Sequence, residues 1–180
     1  MGTRRHDPDR RSRIIDAALD VIAEVGVAGA SHRAIADRAD VPLGSMTYHF
    51  NGMDDLLREA FMRFAATGIA RFETALRAAT GRDQARAAVV DLIHGDTSTA
   101  NRDLILTFEL YTLAARKPAF RDITRNWMAA SRHELERHFT PDEARRVDAL
   151  IEGLSIHRAL DLEPPDRHFT EDTMSLTLTD

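Results

Sequence analysis

The 180-residue sequence contains no cysteine, and that absence removes disulfides, thiolate zinc sites and cysteine nucleophiles together. It also lacks any run approaching the ~18 apolar residues of a membrane span. The opening Met-Gly-Thr-Arg-Arg-His leads into charges rather than an apolar stretch, which predicts no secretory leader and a cytoplasmic chain. Glycine signatures for phosphate or dinucleotide binding are missing, as is a nucleophile elbow. Lysine is nearly absent too, since Lys117 stands alone among 24 cationic residues. That bias reads as codon usage more than function, although arginine does match phosphate geometry better. What remains is 43% hydrophobic and 29% charged, as in a water-soluble protein of one domain or two small ones. At this length roughly 70% of the unfolded surface can be buried, so a core forms without staples.

Positive charge is also in deficit. Lys and Arg number 24 against 29 Asp and Glu, a formal net charge of -5, whereas a phosphate-binding protein is usually basic. The deficit is unevenly spread. Residues 1–50 carry seven arginines and seven acids, while 51–180 carry 17 basic and 22 acidic residues and hold the whole excess. Within the neutral part, the first thirteen residues set five arginines against Asp7 and Asp9. Such a run is either a solvated terminus or a phosphate-contacting arm.

Strand-type alternation is nowhere sustained, and helical periodicity dominates. The chain is therefore expected to be all-α. Asp7-Pro8 has the chemistry of an N-cap followed by proline at the first helical position. Ile14, Ala17, Ala18, Val21, Ile22 and Val25 then form one apolar stripe, which Gly26 and Gly29 close. Ser31 caps a short helix over 32–39, Asp40-Val41-Pro42 breaks it, and another short helix runs over 42–48. Asp54 and Asp55 suit the positive end of a longer helix with Leu56, Leu57, Ala60, Phe61, Phe64 and Ala65 on its apolar face. Further helices are predicted at 83–94, 102–116, 119–138, 142–160 and, more weakly, 170–178. Turn or cap chemistry separates them at Thr80-Gly81, 95–101, Lys117-Pro118, Thr140-Pro141-Asp142 and Pro164-Pro165.

Two short helices joined by a tight turn, after a long amphipathic one, have the shape of a helix-turn-helix DNA reader. In that arrangement Ile35, Ala36, Ala39, Val41 and Met46 hold the pair together, and Arg33, Leu43, Gly44, Ser45, Thr47, Tyr48 and His49 face outward. The residues go further than the pattern. Arg13-Ile14-Ile15-Asp16-Ala17-Ala18, Gly26, Ser31 to Ala36, Val41 to Phe50 and Leu56-Leu57, taken in order, closely resemble the TetR family of bacterial transcriptional repressors. The resemblance implies a helix-turn-helix domain over 1–52 and a helical effector-binding and dimerisation domain over 53–180. It implies a homodimer that binds a double-stranded DNA operator and a small-molecule effector of unknown identity; the missing motifs and the polar groupings below lead to the expectation of no metal, no cofactor and no enzymatic activity.

Roles follow position by position from the resemblance. Ser31 and Arg33 match positions that touch phosphate and, for the arginine, a base edge. Leu43 and Gly44 match base-facing positions, while Ser45, Thr47, Tyr48 and His49 match positions that hold phosphates and set register. Phe50 is expected in the core. Three departures stand out: Asp40 fills the usual glycine position of the turn, Thr47 replaces a tyrosine, and Met53 replaces a phosphate-clamping lysine. The fragment Ala149 to Leu154 resembles the start of the family's dimerisation helix.

Other polar groupings carry less. His133 and His138 are five apart, roughly 140° around a helix, and cannot share one metal. Glu134 and His138 are expected to pair on a solvated face. Asp91 and His94 fit either a pocket wall or a capped helix end. Phe64, Phe108, Tyr111 and Trp127 are the aromatics from which an effector pocket is expected. Val147, Leu150, Ile151 and Leu154 form a stripe that faces either the chain's own core or a dimer partner. The rival to a DNA reader is a helical small-molecule-binding or interaction protein that does not read DNA.

Overall fold

A computed structural model describes residues 8–95 and 97–178, and within them every regular element is helical. The order is α1 (Arg10–Gly29), α2 (His32–Arg38), α3 (Gly44–His49), α4 (Met53–Arg77), α5 (Arg82–His94) and α6 (Thr97–Arg116). A 3-10 turn (Pro118–Phe120), α7 (Arg121–Leu135), α8 (Pro141–Leu160) and α9 (Arg167–Thr177) follow. The expected Asp7 cap lies outside the described residues, as do Arg4 and Arg5 of the arginine run. Pro8 is in a turn, and α1 starts two residues later with Asp9 in the capping position. The break predicted over 95–101 is much shorter, because α6 already begins at Thr97.

The helices form two compact units. One contains the chain up to Phe64 together with Ile105–Phe120, and the other contains Ala65–Leu104 with the chain from Arg121 onward. These units cut α4 after Phe64, whereas the sequence division falls at 52.

In the first unit α1 buries Ile14, Ile15, Ala17, Ala18, Leu19, Val21 and Ile22. Leu56, Leu57, Ala60 and Phe61 of α4 and Leu106 and Leu110 of α6 are also buried. Val25, expected on the same stripe of α1, is 56% exposed. The next residue explains its loss: Gly26 has φ of 70° and interrupts the helix, leaving a last turn to Gly29. Polar contacts add direction to this packing. Arg63 of α4 donates to the carbonyl (3.0 Å) and hydroxyl (2.9 Å) of Ser12 and reaches Asp16 at 2.8 Å. Lys117 pairs with Asp54 at 2.7 Å, and Arg58 donates to the Ala119 carbonyl.

The core of the second unit gathers Leu76 of α4, Val89, Val90 and Ile93 of α5, Leu135 and Phe139, Ala144, Val147 and Leu154 of α8, and Met174 of α9. Two buried carboxylates lie among them. Glu134, expected on a solvated face beside His138, is 2% exposed and pairs with Arg77 at 3.2 Å. The register of α7 turns it inward, and His138 lies beyond the helix end with its Nε2 3.0 Å from the Leu76 carbonyl. Glu143 closes a capping box with Thr140 and takes both Arg82 guanidinium nitrogens, at 2.5 and 3.0 Å. Asp91 and His94 do not pair with each other. Asp91 binds Arg167, while His94 Nε2 lies 2.8 Å from the buried Thr170 hydroxyl.

The capping box has a measurable consequence. The Arg82 guanidinium, with the Thr140 N–H, holds the Glu143 carboxyl well below its ordinary value of 4.5, and Arg77 does the same for Glu134. Both groups bind fewer protons folded than unfolded, so their stabilisation is full above the ordinary carboxylate range and is lost as pH falls through and below it. Thr140→Ala is expected to cost about 1 kcal/mol at neutral pH. Arg82→Ala should move acid unfolding to higher pH, as followed by circular dichroism; an unchanged acid midpoint contradicts this account.

Candidate nucleic-acid interface

The short α2 starts where its sequence says it should. The Ser31 side chain accepts from the Ala34 N–H at 3.2 Å, and Ile35 and Ala36 are buried. The turn to α3 is made by Asp40, at φ of 51°. This left-handed conformation is one that aspartate tolerates better than most side chains, so the departure from glycine preserves the turn. Val41 N–H donates back to the Ala36 carbonyl at 3.0 Å and closes the corner.

Helical geometry then sorts α3 into two faces. Residues 45, 46 and 49 share one side and 44, 47 and 48 the other, since positions three and four apart align. Met46 is fully buried and Phe50, just past the helix, is 3% exposed. Thr47 is exposed and Tyr48 is 83% exposed, with its ring edge-on to His49 at 4.8 Å. Nothing lies within 4 Å of where a Gly44 Cβ would stand, so that backbone is open to approach. Leu43, 48% exposed, precedes the first turn.

Ser45 corrects the sequence reading. It was expected to face outward with its neighbours, yet it is 8% exposed beside Met46, because its register puts it on the inner face. Half-buried His49 shares that face. Burial, then the nearby Arg10 and Arg11, holds its imidazole below the usual range, so it presents a neutral ring at pH 7.

Most cations of this head are engaged. Arg11 pairs with Glu59 at 2.7 Å and lies 5.2 Å from the centre of the Phe50 ring, while Arg38 pairs with Glu24 at 2.5 Å. Arg33 is exposed, and among the described residues it makes no ion pair. An exposed leucine, an open glycine backbone, a threonine and a tyrosine thus stand at the outer side of α3 over a buried apolar hinge, and α2 adds an arginine that is exposed and makes no ion pair among the described residues. A face of this kind can enter a major groove and donate to phosphates.

Comparison with known proteins settles the family. Residues 14–60 match the profile of bacterial regulatory proteins of the tetR family, and residues 80–178 match the tetracyclin repressor-like C-terminal domain. The chain belongs to the TetR family. It is a DNA-binding transcriptional regulator, as TetR-family proteins are. A transcriptional regulator of Streptomyces coelicolor A3(2) has a similar solved structure, with TM-score 0.90 and 56% identity over 96% of this chain and 100% of the other. EbrR, a multidrug binding protein solved with ethidium, gives 0.81 and 34% identity over 96% and 100%. The regulator BetI of Burkholderia mallei (strain NCTC 10229) is 31% identical over 87% of this chain and 85% of its own length.

Within this TetR-family fold the remaining candidates fall as follows. Phe64 is buried and Phe108 and Tyr111 are half-buried, all in the first unit. Trp127 is in the second, with its ring 3.2 Å from where a Gly68 Cβ would stand. Val147 and Leu154 lie in the core of their own unit, whereas Leu150 and Ile151 are only partly buried against it. Sequence reasoning passed over Leu176, which is 87% exposed on α9. It also passed over Glu109, whose carboxylate lies against the break in α1. No helix among the described residues is long and apolar enough to cross a membrane.

Proposed function

We propose that the chain is a dimeric cytoplasmic repressor, with its DNA-binding part in 1–52 and its effector-binding and dimerisation part in 53–180, that leaves a palindromic operator when a small molecule binds. The observation that carries DNA reading is the exposure of Leu43 just before α3, of Gly44, Thr47 and Tyr48 on its outward face, and of Arg33 on α2. Ser31 serves as helix cap and phosphate contact, and His49 donates a neutral ring N–H. Ser45 acts only through the packing of α3. Duplexes selected from a random library should contain two inverted half-sites, matching a two-fold dimer. Selection of no duplex, at stated salt, would favour a helical binding protein that does not read DNA.

The dimer surface is read from what α8 and α9 leave uncovered. Leu150, with Arg146 and Ala149 of α8, lines an open concavity with Leu176 and Thr177 of α9. Leu150, Ile151 and Leu176 therefore make the interface, and Val147 and Leu154 support it from beneath. Leu176→Asp is expected to shift dimer to monomer by sedimentation velocity, with operator affinity falling in parallel. A variant that stays dimeric at micromolar concentration contradicts this assignment.

Phe64, Phe108 and Tyr111 of the first unit are the proposed effector-binding aromatics, with Trp127 of the second unit a separate candidate, and a planar aromatic ligand suits such rings. That ligand class is supported by EbrR, whose solved complexes contain ethidium, proflavin and malachite green. The effector binds better to the form whose recognition helices are wrongly spaced, and α4, a single helix shared by both units, passes the change on. Crystal structures with and without ligand in which the spacing and orientation of the recognition helices are unchanged would rule this mechanism out.

A further inference from the structure

The break in α1 has an unusual partner. Gly26 combines φ of 70° with ψ of 170°, which turns the following N–H out of the helical direction. That N–H, of Val27, donates to the Glu109 carboxylate of α6 at 3.2 Å. The second carboxylate oxygen comes so close that a Cβ at Gly26 would stand 2.7 Å from it. Glycine is needed at this position for its positive φ, and a Cβ there would also push the Glu109 carboxylate from its place. The contact joins residues 82 apart in sequence, and both belong to the first unit.

Position along the chain gives the contact its significance. After Val27 there is one turn, Ala30 N–H returns to the Val27 carbonyl at 3.3 Å, and Ser31 then caps α2. No other element separates the clamped amide from Ser31 and Arg33. We propose that Glu109 is a positioning residue for DNA recognition: its carboxylate clamps the broken end of α1 and thereby sets where Ser31 and Arg33 stand. The role rests on the DNA-binding reading given above. Val27 N–H without its acceptor is a part-buried donor with no helical carbonyl opposite it, and the last turn of α1 is then free to fray. The loss falls on the orientation of α2 while the apolar contacts of α1 remain in place.

The test uses the full chain and the duplex that the wild-type protein selects from a random library. Glu109→Ala is expected to bind that duplex about tenfold or more weakly, the weight of one hydrogen bond to a charged group. Glu109→Gln keeps an acceptor oxygen at the same reach and should bind within about fivefold of wild type and more tightly than the alanine variant, since only the charge contribution is lost. Glu109→Asp keeps the charge but is one methylene short, and should weaken binding as alanine does. It also serves if the alanine variant fails to fold. Amide exchange, measured without DNA, should show Val27 protected in wild type and Glu109→Gln and exposed in the other two. Equal binding by all variants, unchanged exchange at Val27, or a Gln variant as weak as Ala overturns the proposal. A wild-type protein that selects no duplex overturns the DNA-binding reading itself, and the exchange data then show separately whether the clamp exists.

Discussion

Phe61→Ala is expected to destabilise the protein by about 3–5 kcal/mol, the range for emptying a fully buried aromatic site. Phe61 has no exposed surface, and it lies in α4 among the buried Leu56, Leu57, Ala60 and Phe64. Removing its ring leaves a cavity that rigid helices on either side cannot close, so both transfer energy and packing contacts are lost. Against a typical total of about 5–15 kcal/mol this is a large fraction. The neighbouring Met62 is 49% exposed, and Met62→Ala should stay within about 0.5 kcal/mol of wild type. Urea denaturation at equal protein concentration checks the contrast, the concentration being fixed because dimerisation would add to apparent stability. Equal midpoints for the two variants would mean that Phe61 does not pack as a core residue of α4.

Arg33→Ala should leave the fold intact and weaken specific DNA binding by about 1–3 kcal/mol, with relaxed base preference. The separation is clean because Arg33 is exposed and without an ion pair among the described residues, so no internal partner is orphaned. Arg33→Lys is the sharper variant. Lysine keeps the charge but loses the planar fork that binds guanine through two bonds, so phosphate-driven affinity should persist while discrimination falls. Binding of the selected duplex and of single-base variants, at two salt concentrations, measures both quantities. If the Arg33→Lys variant discriminates as well as wild type does, Arg33 contacts phosphate alone.

Much of this was legible in the sequence because local chemistry is strong where it matters. The Ser31 cap, the Asp40 turn, the Thr140-Pro141 start of α8 and the buried Phe50 follow from side chains acting on their own backbone or on the nearest turn. The order of motifs from Arg13 to Leu57 was specific enough to imply the family, and the comparisons bear that out. Errors arose where one residue's register decides. Ser45 reads as a polar residue on a recognition helix, and only the seating of Met46 and Phe50 shows that its position turns inward. Glu134 reads as a solvated charge until Arg77, 57 residues away, is placed beside it. The stripe of α8 reads as uniformly apolar, and only burial separates Val147 and Leu154, which fill the core of their own unit, from Leu150 and Ile151, which are partly uncovered.

The missing lysines and the negative charge belong to the same division. By itself, the sequence determined an all-helical chain, a neutral head joined to an acidic body, and the capped starts of α2 and α8, since these depend on composition, periodicity and contacts a few residues apart. Tertiary structure alone decided which arginines are spent on internal pairs and that, among the described residues, Arg33 makes none. It also decided which apolar residues of α8 remain uncovered, and that a carboxylate from α6 meets the break in α1. Those outcomes depend on residues from 14 to 82 positions apart, whose meeting is set by how whole helices pack, and no local pattern encodes them.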